Sequence, residues 1–80
     1  MPGAKDLPLA PGERHLKAFA RLGWRPERKT KGSHVILEKA GHAAHLCIPC
    51  HKGKDVKRNL LHGQLKLGDI SIEAYCSAFK

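Results

Sequence analysis

The sequence is short of acid, of methionine and of long apolar runs, and its cysteines come in an odd number. Seven Asp and Glu stand against fifteen Lys and Arg, methionine occurs only as Met1, and there are three cysteines. No stretch approaches the roughly 20 consecutive apolar residues that a membrane span needs, so no transmembrane segment is expected. The opening Met1-Pro2-Gly3-Ala4-Lys5-Asp6-Leu7-Pro8 has no apolar h-region, so no signal peptide is expected and the cytoplasm is the expected compartment. Three cysteines, an odd count, argue against a disulfide framework and fit a reducing compartment. The shortage of acid leaves a formal charge of +8 and a pI near 9.8. Such an excess on a small chain points to a polyanionic partner, either nucleic acid or an acidic protein. A membrane surface fits less well, because no helical stretch pairs a broad apolar face with a lysine-rich one.

What is present is enough for one domain. Eighty residues bury only about 60% of the surface their unfolded chain exposes, which leaves room for a single small core. Residues 1–11 hold Pro2, Pro8 and Pro11 without apolar periodicity and read as a flexible tail with no role in the fold; residues 12–80 read as the domain. From Gly12 onwards Leu16, Phe19, Ala20 and Leu22 or Gly23 recur at helical spacing, with Arg14, Lys17 and Arg21 opposite, and Gly23 suits a helix stop. Trp24–Thr30 reads as a polar strand that Pro26 confines to an edge. Ser33–Lys39 is the clearest strand, with Val35 and Leu37 facing a core and His34, Ile36 and Glu38 facing away. Ala43–Ile48 alternates in the same manner, which places His45 and Cys47 on the His34 side if Leu46 and Ile48 point inward. Asp55 is the expected N-cap of a second helix carrying Val56, Leu60, Leu61 and Leu65, weakened by Gly63 and closed at Gly68-Asp69. Ser71 caps a short last helix with Ile72, Tyr75, Cys76 and Phe79 as core candidates. The expected fold is α+β, in the order α-β-β-β-α: a three-stranded antiparallel sheet with helices on one face, plus a short C-terminal helix.

The candidate chemistry centres on Lys29-Thr30-Lys31-Gly32-Ser33-His34. A glycine turn there delivers a histidine to the outward face of a strand beside fixed positive charge. Histidine's ordinary pKa of roughly 6.5 lets it take and give a proton near neutrality. The blander reading is a surface histidine in a basic hairpin. Lysines gather in two groups, Lys29 and Lys31 before His34, then Lys52, Lys54, Lys57 and Arg58 ahead of the second helix. Either group alone is commonly just a solvated face. Two groups flanking one outward histidine fit a surface that grips phosphates without reading bases.

Cys47-Ile48-Pro49-Cys50-His51 matches the C-x-x-C-H pattern of covalent haem attachment. Haem is not expected, because no export signal accompanies the motif and no internal methionine offers a distal ligand, although histidines offer one. Zinc on His42, His45, Cys47, Cys50 and His51 has suitable donors but poor geometry, since residues of opposite parity on a strand diverge. A thioredoxin-type redox pair fits worse, because Cys50 leads into a glycine–lysine loop rather than a helix. No cofactor and no metal ligands are therefore assigned.

Gly23-Trp24, the basic run into Lys31-Gly32-Ser33-His34, then Ile48-Pro49-x-His51, a lysine loop and an amphipathic helix together resemble the HicA (YcfA-like) toxin family, over about Gly12 to Phe79. The resemblance implies a fold like the double-stranded-RNA-binding domain and a metal-independent endoribonuclease acting on mRNA. It also implies an acidic HicB-type antitoxin as partner. In that family the Gly-Ser-His histidine is the signature residue, which maps to His34 as the catalytic group. Lys29, Lys31, Gly32, Ser33, His51, Lys52, Lys54, Lys57 and Arg58 would then contact RNA. His45 and then His51 are the candidates for a second acid–base residue. A non-catalytic RNA-binding module of the same fold stays open at this point, as does a zinc-stabilised interaction domain.

Overall fold

A computed structural model describes residues 3–27 and 32–79. Helix α1 spans Gly12–Arg21, strands β1, β2 and β3 span Arg25–Pro26, His34–Glu38 and Leu46–Pro49, and helices α2 and α3 span Arg58–Leu67 and Ile72–Phe79. The three strands form one antiparallel sheet in the order β1-β2-β3. This is the expected α-β-β-β-α order with a further C-terminal helix. No helix among the described residues is long and apolar enough to cross a membrane.

Both long helices end by the same device. At the end of α1, Gly23 adopts φ +94°, and the Trp24 N–H turns back to the Phe19 carbonyl while the Gly23 N–H reaches that of Ala20. At the end of α2 the left-handed position is Asp69, with φ 59°, and the Ile70 N–H returns to the Leu65 carbonyl. Each reversal satisfies carbonyls that a helix end leaves without partners. Gly68, one residue earlier, is glycine for a different reason. A β-carbon there would stand 2.9 Å from the Trp24 ring. The reversals drop Trp24 into the core and lead α2 into Ser71, whose hydroxyl accepts the Ala74 N–H at 3.0 Å and caps α3.

The core lies on one face of the sheet. Phe19, Trp24, Leu37, Leu46, Ile48, Leu61, Leu65 and Tyr75 are fully enclosed there, and α1 and α2 both pack on β3. Register sets Val35 opposite Ile48 and Leu37 opposite Leu46, so the inward residues of β2 and β3 match. One unpaired N–H of edge strand β3, that of Cys47, donates to the Gln64 side chain of α2 at 2.9 Å. The outward face holds His34, Ile36 and Glu38 of β2 with Cys47 of β3.

Four expectations are corrected. The stretch from Leu7 to Ala10 ahead of α1 is part of the fold: Leu7 and Ala10 are buried, Arg58 Nε donates to the Leu7 carbonyl at 2.7 Å, and the Val56 N–H donates to the Ala10 carbonyl at 2.9 Å. Single anchors of this kind have no periodicity to betray them. Helix α2 begins three residues after Asp55, because Val56 is buried and Asp55 bridges Pro11, which keeps the backbone extended there. Helix α1 keeps Leu16, Phe19 and Leu22 of its expected apolar face against the core, but its most buried face is shifted to one side of that stripe. Its buried residues are Gly12, His15, Ala18 and Phe19, while Ala20 is exposed. The cause is His15, whose Nδ1 is hydrogen-bonded to the Tyr75 hydroxyl of α3 and which therefore faces inward. The strands are also shorter than expected, two residues for β1 and four for β3.

Candidate nucleic-acid interface

Gly32 takes φ +58° in an exposed turn, and the chain enters β2 at His34. In the β2–β3 ladder His34 lies opposite Pro49, and one step further the Cys50 N–H donates to the Ser33 carbonyl. That last bond carries the pairing past Pro49 and sets His51 beside His34. The two rings meet edge to face with centroids 5.6 Å apart, and both residues are exposed. Fixed backbone therefore holds two solvent-facing imidazoles in contact. Together they can provide one proton acceptor and one proton donor to a single bound group.

His45 occupies the opposite end of the sheet, with its Nδ1 3.0 Å from a Glu27 carboxylate oxygen. The structure thus brings His51, rather than His45, to His34.

The position of His51 is set from a second side. Helix α1 presses its first turn onto the end of β3 so closely that a β-carbon on Gly12 would lie 2.4 Å from the Pro49 carbonyl oxygen and 2.6 Å from Cys50 Sγ. Only a residue without a side chain fits there. Beside this contact runs a groove of about 460 Å³, lined by Pro11, Gly12, Glu13, Cys50, His51 and the loop that follows. Burial, and then the Glu13 carboxylate, push the Cys50 thiol above its ordinary range, so the sulfur stays protonated and weakly nucleophilic.

Beyond His51 the loop turns at Gly53, φ +77°, with the Lys54 N–H donating to the His51 carbonyl at 3.1 Å. Lys52, Lys54 and Lys57 are exposed around it, on the approach to the first turn of α2. Lys57 takes the N-cap position without a side-chain cap, and that turn holds no acidic residue. Free backbone N–H groups and the helix dipole therefore add to the lysine charge. Arg58 is half-buried and spends its Nε on the Leu7 carbonyl, so it ties the N-terminal segment to α2. Ser33 is half-buried and Gly32 exposed. Lys29 and Lys31 lie outside the described residues.

Cys47 sits on the outward face and Cys50 packs against the core, so the strand separates the two cysteines of the C-x-x-C-H motif. Among the described residues the cysteines join no cluster of three metal-ligating side chains. The groove residues Gly12 and Glu13 carried no signal in the sequence beyond marking a helix start. Only the packing of α1 on β3 brings them to His51.

A family model described as the HicA toxin of bacterial toxin–antitoxin systems matches residues 12–68. No curated protein and no solved structure matches the chain.

Proposed function

The chain belongs to the HicA toxin family of bacterial toxin–antitoxin systems, and on that premise we propose that it is a metal-independent endoribonuclease that cuts mRNA with a pair of histidines. Membership implies a cognate antitoxin. The observation that carries the catalytic reading is the contact of outward His34 with His51, 5.6 Å between ring centroids.

RNA supplies its own nucleophile. His34 accepts the proton of the 2′-hydroxyl as that oxygen attacks the adjacent phosphorus. The bond from phosphorus to the 5′-oxygen breaks, and protonated His51 gives its proton to the departing oxygen. The products are a 2′,3′-cyclic phosphate and a free 5′-hydroxyl. Lys52, Lys54 and Lys57 hold neighbouring phosphates and offset the charge that builds on the reacting one, with Lys29, Lys31, Gly32 and Ser33 contacting the same strand. Positioning for in-line attack supplies the rest of the acceleration.

An enzyme acting on mRNA works in the cytoplasm. The partner is an acidic HicB-type antitoxin that covers the His34 face, attracted by the +8 charge of the chain. The test is cleavage of a single-stranded RNA in EDTA by the wild type and by His34→Ala, with product ends mapped. Cyclic-phosphate ends made by the wild type alone support the reading. Equal RNA binding without cleavage by both proteins overturns it in favour of a binding module.

A further inference from the structure

A second cluster of titratable side chains occupies the outward face, at the end of the sheet away from His34. Glu27 directly follows β1, Glu38 closes β2 and His45 directly precedes β3, so the three residues lie at neighbouring strand ends. Register brings them together. Arg25 pairs with Glu38, the Glu27 N–H donates to the Ile36 carbonyl, and Leu37 pairs with Leu46, which places Glu38 and His45 side by side one step on. One carboxylate oxygen from each glutamate and one ring nitrogen of His45 all lie within 4.8 Å of one another.

We propose that Glu27, Glu38 and His45 form a binding site for a divalent transition-metal ion, with Zn²⁺ the best match. Zinc binds nitrogen and oxygen donors at roughly 2.0–2.2 Å, so donors around one ion stand up to about 4 Å apart, and small rotamer changes bring these three into range. Two carboxylates and an imidazole form a mixed donor set that suits zinc, whereas calcium and magnesium favour oxygen alone. Charge points the same way. The chain has seven acidic residues in all, and two of them converge here, an arrangement that a cation relieves. His45 relieves part of it already through its 3.0 Å contact with Glu27.

Space for the remaining ligands lies alongside. A groove of about 270 Å³ is bounded by Arg25, Glu38, Lys39, Ala40, His42 and His45. Water would fill the open positions there. Arg25 and Lys39 line the same groove and compete with the ion for Glu38, so affinity falls below that of a closed four-ligand site.

The ion is not part of the RNA chemistry. Glu38 and His34 are the two ends of β2, roughly 13 Å apart at the rise of a strand. Its effect is to clip a two-residue edge strand to the rest of the sheet, with Glu27 the last described residue before the lysine run leading to Ser33-His34.

The test is titration of the full, untagged chain with ZnCl₂ by calorimetry and by thermal unfolding, with circular dichroism confirming that each variant is folded. We expect one ion per chain and a raised midpoint, and for Glu38→Gln and for His45→Ala a loss of roughly tenfold or more in affinity. Cys47→Ser with Cys50→Ser, and His34→Ala with His51→Ala, should bind as the wild type does. No binding by the wild type overturns the proposal and leaves a surface ion pair only. So does zinc binding that survives both Glu38→Gln and His45→Ala, or that disappears with the cysteines or with the His34 pair.

Discussion

His15 on α1 and Tyr75 on α3 share a hydrogen bond between two fully enclosed side chains, a buried polar link between the two helices. Burial lowers the imidazole to about 4 from its ordinary 6.5, partly offset by the backbone carbonyl of Ala10. Burial also raises the Tyr75 hydroxyl, which therefore stays protonated.

The consequence is acid sensitivity of the fold. Between pH 6.5 and 4 the unfolded chain takes a proton on His15 that the folded chain refuses, so stability falls as pH drops through that window. The contribution is complete above 6.5, and its full loss amounts to about 3 kcal/mol. Urea unfolding at pH 7 and pH 5 should show a drop in stability for the wild type, and His15→Gln should show a smaller one. Equal pH dependence in both proteins would place the acid sensitivity elsewhere.

Gly12→Ala should harm the fold and the candidate site together. The new methyl would meet a backbone carbonyl and a half-buried sulfur, so α1 and the end of β3 must part. Overpacking of this sort costs about 1–3 kcal/mol. The displaced segment, Pro49 to His51, is the one that sets His51 beside His34. Chemical denaturation should give a lower midpoint, and RNA cleavage at low temperature, where the variant is folded, should still be reduced.

Two glycines near the end of α2 should respond with opposite signs. Gly63 lies within the helix on an exposed face, and a β-carbon there meets nothing within 4 Å. Gly63→Ala should therefore stabilise by about 1 kcal/mol through helix propensity. At Gly68 the added carbon runs into Trp24, so Gly68→Ala should destabilise. Thermal midpoints of the two variants, measured side by side, decide the matter.

Legibility in the sequence followed the range of the interactions involved. Strand β2 could be read because Val35 and Leu37 alternate with His34 and Glu38, and α3 because Ser71 precedes Ile72, Tyr75, Cys76 and Phe79 at helical spacing. The outward placement of His34 follows from the same alternation. What escaped the reading depends on contacts between distant segments. Leu7 and Ala10 are held by Arg58 and Val56, and His15 turned inward only because Tyr75 waits sixty residues later. The choice between His45 and His51 likewise rests on β2–β3 register, where a single bond from Cys50 to Ser33 extends the ladder past Pro49.

That choice gives the last prediction. His45 is engaged with Glu27 at the far end of the sheet, whereas the His51 ring meets that of His34. In the proposed mechanism His51 is the general acid, so His51→Ala should lower cleavage by roughly 10²–10⁴. His45→Ala should keep activity near the wild-type level in EDTA. A change of leaving group separates a proton donor from a mere phosphate contact. An RNA substrate whose 5′-oxygen is replaced by sulfur leaves without needing a proton, so it should restore much of the lost rate to His51→Ala and none to His34→Ala. If the sulfur substrate rescues neither variant, His51 grips phosphate and another group gives the proton.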